Sequence, residues 1–87
     1  MSASDDESYT VYVARCRDGT LYTGIARDLW ARIAAHDAGR GARYTRGRGP
    51  LDVRFIETSL SKGEALSLEA RIKRLSRREK HMLAHLA

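Results

Sequence analysis

From Tyr9 to Cys16 the chain is almost continuously apolar or β-branched, and Leu21 to Ile25 repeats that character after a short polar break. Two such runs divided by Asp18-Gly19 predict a β-hairpin. The length of the turn decides which side chains share a face. A two-residue loop puts Tyr12 and Tyr22 on opposite faces. A three-residue loop over Arg17-Asp18-Gly19, with Gly19 left-handed in a bulge, puts both on one face. The second arrangement, or another of the same parity, is expected.

The period then lengthens. Asp28 is a helix N-cap, Leu29 and Ile33 form an apolar stripe, and the helix is expected to run to about Asp37, ended by Gly39 or Gly41. Arg32 and His36, four apart, lie along one edge of that stripe. Gly39 to Pro50 is a connection rich in glycine and arginine with room for one short helical turn. Leu51 to Glu57 alternates as a third strand, with Val53 and Phe55 toward the core. Ser61-x-x-Glu64 is a capping box for a helix through about Leu75, and Ser76 starts a final helix to about His85. Strand-strand-helix-strand-helix-helix predicts an α+β domain, a small three-stranded antiparallel sheet flanked by helices. That single domain spans residues 9–87. Residues 1–8 carry Asp5, Asp6 and Glu7 without apolar periodicity and are expected to be a disordered acidic tail. No internal repeat is present.

Composition narrows the partner. The 87 residues hold 16 Lys and Arg against 11 Asp and Glu, a net charge of +5 that favours a polyanion, because bound cations release phosphate counterions. There is no apolar run of bilayer length and no secretory pattern, so no membrane role and a cytoplasmic location are expected. Cys16 is the only cysteine, which excludes an internal disulfide and a cysteine metal cluster. It is expected to be a small buried hydrophobe on a strand.

Candidate chemistry follows the charge. Arg40, Arg43, Arg46 and Arg48 lie in an acid-free stretch with Tyr44 interleaved, a pattern suited to gripping phosphates and stacking on an unpaired base, or to a solvated surface loop. Arg71, Lys73, Arg74, Arg77, Arg78 and Lys80 either extend that basic track or form the solvated side of helices whose other side carries Leu75, Met82 and Leu83. Glu69 falls within the core-facing arc of its helix, between Ala65 and Leu66 and near Ile72. A carboxylate there requires a partner, either a metal ion or Lys73 four residues on. Glu64 is accounted for by its capping box.

Thr10-Val11-Tyr12 and Tyr22-Thr23-Gly24, with their tyrosines ten residues apart, are followed by Arg32-x-x-x-His36 and by the run Glu64 to Lys73 that contains Glu69. In order and spacing this set resembles the GIY-YIG nuclease superfamily, most nearly its small standalone bacterial YhbQ-like members, over about Tyr9 to Lys80. The resemblance implies a mixed α/β domain with its active site over the sheet and first helix. Tyr22 would be the general base or proton relay with Tyr12 beside it. Arg32 would hold the phosphate, and Glu69 would hold one divalent ion, Mg²⁺ or Mn²⁺. His36 matches a histidine that passes or accepts a proton, or else it stabilises the end of its helix. Phosphodiester hydrolysis calls for such parts: a nucleophilic water, charge stabilisation on the phosphate and help for the leaving oxygen. A phenol, ionising near ~10, needs assistance to act as a base at neutral pH.

The chain departs from the family pattern in places. Thr10 stands for the first glycine, Val11 for isoleucine, Thr23 for the middle residue of the second motif, and Ile25 for a lysine of some repair members. No asparagine is present to fill the family's late asparagine position. The expected function is a metal-dependent DNA endonuclease, weak or conditional in activity, acting in repair or recombination on branched or flapped DNA and leaving a 5′-phosphate. The rivals are a non-catalytic module for structured nucleic acid and a nuclease subunit that needs a protein partner to choose its substrate.

Overall fold

A computed structural model describes residues 8–40 and 46–86. Strand β1 (Tyr9–Arg15) is central, flanked by β2 (Leu21–Ala26) and β3 (Asp52–Leu60), both antiparallel to it. Helix α1 (Leu29–Asp37) covers one face of the sheet, while α2 (Lys62–Lys73) and α3 (Arg77–Leu86) cover the other. This explains the continuous apolar run of β1. Val11 and Val13 pack beneath α2 and α3, Tyr12 and Ala14 beneath α1, and all four are buried. Among the described residues no helix is long and apolar enough to cross a membrane.

The hairpin has the expected parity. Tyr12 lies opposite Gly24 and Ala14 opposite Tyr22, so the two tyrosines are diagonal neighbours on one face. Cys16 N–H donates to Thr20 O at 2.8 Å and Gly19 N–H to Cys16 O at 2.9 Å, with Gly19 at φ +88°, the left-handed bulge of a three-residue loop. Asp18 locks this turn, accepting from the Thr20 amide at 3.1 Å, the Thr20 hydroxyl at 2.6 Å and Arg48 Nη1 at 2.7 Å. The Thr20 bonds, with Arg48 beside them, hold its carboxyl below the usual carboxylate range. Cys16 is buried and free just past the end of β1.

Both helix starts hold as expected. Asp28 accepts from Ala31 N–H at 3.1 Å, and Ser61 and Glu64 exchange both bonds of the capping box at 3.1 and 2.8 Å. Helix α1 closes with Arg40 N–H to Ala35 O at 2.8 Å and Gly39 N–H to His36 O at 3.0 Å, a Schellman pair. Helix α2 ends at Lys73 rather than near Leu75. Ser76 and Glu79 form a second capping box, which starts α3 at Arg77.

Two expectations are corrected and a third is refined. Strand β3 runs on to Leu60 rather than stopping at Glu57. Val53 and Phe55 both pack against the core as expected, but not through one face: the register against β1 shifts between Val13 and Ala14, so Phe55 joins the layer under α2 while Val53 joins the layer under α1. Leu66 and Met82 are exposed rather than in the core, which takes Ala65, Leu68, Ile72, Leu75, Leu83 and Ala84 instead. The expected tail and the middle of the arginine loop, including Arg43 and Tyr44, lie outside the described residues.

Two glycine substitutions of opposite sign check this backbone. At Gly19 an added Cβ meets nothing within 4 Å, so the cost of Gly19→Ala is left-handed strain alone, about 1 kcal/mol or more. Gly63, in the first turn of α2, is equally open but without positive φ. Gly63→Ala should therefore stabilise by about 0.4–1 kcal/mol by restricting the unfolded chain. Thermal melts of the two variants should move in opposite directions.

Candidate active site

Four elements converge beside β2. Tyr12 comes from the central strand, Tyr22 from the edge strand, His36 and Arg32 from α1, and Glu69 from α2. The Tyr12 hydroxyl lies 3.0 Å from His36 Nε2 in a buried contact. Ring centroids are 6.2 Å apart for Tyr12–Tyr22 and 5.2 Å for Tyr22–His36, tilted and edge-on, as aromatic quadrupoles prefer. Gly24 makes the cluster possible. A Cβ there would sit 2.6 Å from the Tyr12 hydroxyl oxygen, 2.7 Å from Tyr12 Cζ and 2.9 Å from Tyr22 Cε2. The glycine of Tyr22-Thr23-Gly24 is thus the space into which Tyr12 leans.

Burial divides the group. Tyr12 is 0% and His36 1% exposed, so neither offers surface to a substrate, whereas Tyr22 is half-buried and Arg32 exposed. Burial pushes the Tyr12 phenol up to about 12, helped by Tyr22 and resisted by Arg32, whose guanidinium also hydrogen-bonds the phenol oxygen. The charge of Glu69 is felt at the same oxygen and raises it further. Burial, then Arg32, lowers His36 below the ordinary histidine value, with Asp37 opposing. At neutral pH the pair is therefore phenol and neutral imidazole. His36 lies in the last turn of α1, yet it faces inward to Tyr12, a partnership that its spacing in the sequence did not disclose.

Glu69 lies on the sheet-facing side of α2, four residues after Ala65 and three before Ile72, both buried. Its side chain is 21% exposed and pairs with Lys73 Nζ at 3.2 Å. Among the described residues no group of three or more His, Cys, Asp or Glu side chains could hold an ion. The donor set is one partly exposed carboxylate. That suits a hard ion such as Mg²⁺, which keeps most of its water and takes its remaining ligands from a phosphate.

The basic residues disperse. Arg40 and Arg46 are exposed at the two ends of the arginine loop, and Lys73 is exposed on Glu69. Arg48 is engaged by Asp18 at 2.7 Å, while its carbonyl accepts from Arg17 N–H at 2.7 Å, so it ties the loop to the hairpin turn.

A two-faced α+β domain with paired hairpin tyrosines, an arginine on the first helix and a glutamate on the second is the GIY-YIG arrangement. The chain belongs to that family: residues 8–82 match the GIY-YIG catalytic domain. It is 49% identical over 75 residues to the UPF0213 protein OB0043 of Oceanobacillus iheyensis, covering 86% of this chain and 87% of that one. It is 53% identical over 73 residues to the UPF0213 protein VNG_2274C of Halobacterium salinarum, covering 84% and 95%. The solution NMR structure of the UPF0213 protein BH0048 from Bacillus halodurans superposes with a TM-score of 0.58 at 44% identity, covering 91% of this chain and 84% of that one.

The buried pair sets a pH window. His36, lowered in the fold, contributes stability above its ordinary value near ~6.5, and this is lost as pH falls through the lowered folded value. Tyr12, raised, contributes stability below ~10, lost as pH rises through about 12. Gly24→Ala should cost about 1–3 kcal/mol by overpacking. By displacing the Tyr12 hydroxyl it should also move both ionisations toward ordinary values, seen by NMR for His36 and by ultraviolet absorbance for Tyr12. Unmoved ionisations would refute the close approach.

Proposed function

We propose that this chain is a divalent-metal-dependent DNA endonuclease that hydrolyses phosphodiester bonds, with Tyr22, Arg32 and Glu69 facing the substrate and Tyr12 and His36 holding them in place. One observation carries the reading: Tyr12 and His36 meet in a buried 3.0 Å contact with the Tyr22 ring packed against both, on the sheet face covered by the helix that bears Arg32.

Each side chain has a distinct part. Arg32 presents a planar fork to a non-bridging phosphate oxygen while also bonding the Tyr12 oxygen. Tyr22 orients the attacking water and passes on its proton, with the imidazole edge of His36 fixing its ring. Tyr12 and His36, neutral and sealed from solvent, keep a dry polar floor under the reacting phosphate. Glu69 would hold the ion, which when bound supplies an acidified water and a charge opposite the phosphate. Lys73 balances Glu69 before the ion arrives and afterwards offers a further phosphate contact. Arg40 and Arg46, with Arg43 and Tyr44, would grip the flanking DNA. The cell biology that fits is repair or recombination on branched or flapped DNA in the cytoplasm, with a protein partner helping to choose the substrate.

The Glu69–Lys73 ion pair also supports a second reading, a nucleic-acid-binding module without turnover, in which Glu69 serves only its helix. Incubation with linear, flapped and four-way-junction DNA, with and without Mg²⁺ or Mn²⁺, separates the two. Metal-dependent cleavage supports the enzyme, and binding without cleavage in every condition supports the module.

Arg32→Ala should lower turnover by about 10²-fold or more with the fold intact, the usual cost of one preorganised charge at a reacting centre. Arg32→Lys should restore only part of it, since a point charge does not reproduce the fork. Near-normal cleavage by the alanine variant would return Arg32 to the surface.

Glu69→Gln should abolish Mg²⁺ binding and cleavage while DNA binding persists. If Glu69 serves only its helix, Lys73→Ala and Glu69→Gln instead share a small stability loss of about 0.2–0.5 kcal/mol and leave metal affinity alone. Calorimetric titration of Mg²⁺ beside a melting curve decides between them.

A further inference from the structure

We propose that a cleft between α3 and the β1–β2 hairpin, on the sheet face away from the tyrosines, is a second nucleic-acid site that takes an unpaired stretch of strand. The choice of nucleic acid as occupant rests on the nuclease reading above. The cleft has a volume of about 470 Å³, with Leu21, Met82 and Ala84 as its apolar floor and Arg15, Arg78, His81 and His85 around it. It continues past Leu21 and His81 into a smaller hollow bordered by Thr20, Arg77 and Lys80. No acidic side chain lines either part among the described residues. Arg15 pairs with Asp52 at 3.7 Å, both side chains being exposed. Glu79, the acid of α3, is spent on the Ser76 cap.

Two features say this is not an ordinary solvated helix face. Arg77, Arg78 and Lys80 crowd the first turn and a little beyond of α3, where the helix dipole disfavours cations. Helix stability would place acids there, and of the first four residues only Glu79 is one. Met82 is 53% exposed in the midst of these cations, although the apolar side of the helix has room in the core for its neighbours Leu83 and Ala84. An apolar floor with a cationic rim suits a ligand that is itself apolar and anionic in alternation. A nucleobase laid on Met82 and Leu21, with its phosphates on Arg78 and Lys80, has that pattern. Inorganic phosphate leaves the floor unused, and an acidic peptide brings no flat apolar face.

The test is an NMR titration of the Glu69→Gln chain, free of divalent ions, with a single-stranded oligothymidylate. Amide signals of Leu21, Arg78, His81, Met82 and His85 should shift saturably. Replacing Arg78 and Lys80 with alanine should weaken binding about 10-fold or more and reduce its salt slope by about 1.4, near 0.7 for each phosphate contact on a single strand. Met82→Ala should weaken binding several-fold with the slope unchanged, separating stacking from charge. Should the double variant not fold, Arg78→Gln alone carries the charge measurement. Cleft signals that stay still while those around Tyr22 move would overturn the proposal. So would polyglutamate of equal length binding the cleft as tightly, or affinity indifferent to Met82→Ala. Cleavage by the unmodified chain with Mg²⁺ is a separate measurement, so the cleft and the tyrosine site can fail independently.

Discussion

The Tyr12 hydroxyl occupies the volume that any side chain at position 24 would need. With a Cβ on residue 24 only 2.6 Å from that oxygen, two strands that pair Tyr12 against Gly24 leave a single solution: the phenol of the central strand leans across the glycine of the edge strand and meets Nε2 of His36. The contact fixes more than two side chains. It sets the height of α1 over the sheet, because His36 is buried only if α1 sits where its imidazole reaches Tyr12, and it thereby places Arg32 one turn earlier on the same helix. It also leaves Tyr22 stacked beside the pair rather than inside it. A glycine in the middle of a strand ordinarily weakens it, and here the loss is offset by a buried hydrogen bond in low dielectric.

Electrostatics follow from that placement. A buried phenol raised to about 12 and a buried imidazole lowered by the same desolvation are both neutral, so the floor of the site costs little to keep dry. Charge is confined to the rim, where Arg32 is exposed and Glu69 is partly exposed and paired with Lys73. Had the two charges been buried with the aromatic pair, desolvation would have exceeded their attraction.

Much of this was legible along the chain. Hairpin parity could be decided from Asp18-Gly19 because side-chain alternation has only two outcomes and the glycine selects one. Asp28 and Ser61 marked helix starts because an N-cap is a local bond between residues three apart. Glu69 could be placed on a buried arc by angle alone. What escaped was nonlocal. The register shift that parts Val53 from Phe55 arises from pairing with β1, and nothing within β3 announces it. His36 needed Tyr12, 24 residues away, and Arg48 needed Asp18, 30 away, before either had a partner. Met82 matched the apolar period of its helix, yet it stands 53% exposed while Leu83 and Ala84 beside it take the core.

The narrow sheet also explains how so small a domain can hold the proposed site. Its polar residues are drawn from β1, β2, α1 and α2, and none of the five is supplied by a loop. Side chains on regular elements inherit their positions from core packing, here two apolar layers on either side of β1. Such a site cannot exist before the layers close, since Tyr12 belongs to one layer and the helix bearing Glu69 belongs to the other. Site geometry and global stability are therefore the same quantity in this chain. A core lesion far from Tyr22 acts on the site through the sheet, and the surface can carry a density of positive charge that a thin core would not tolerate inside.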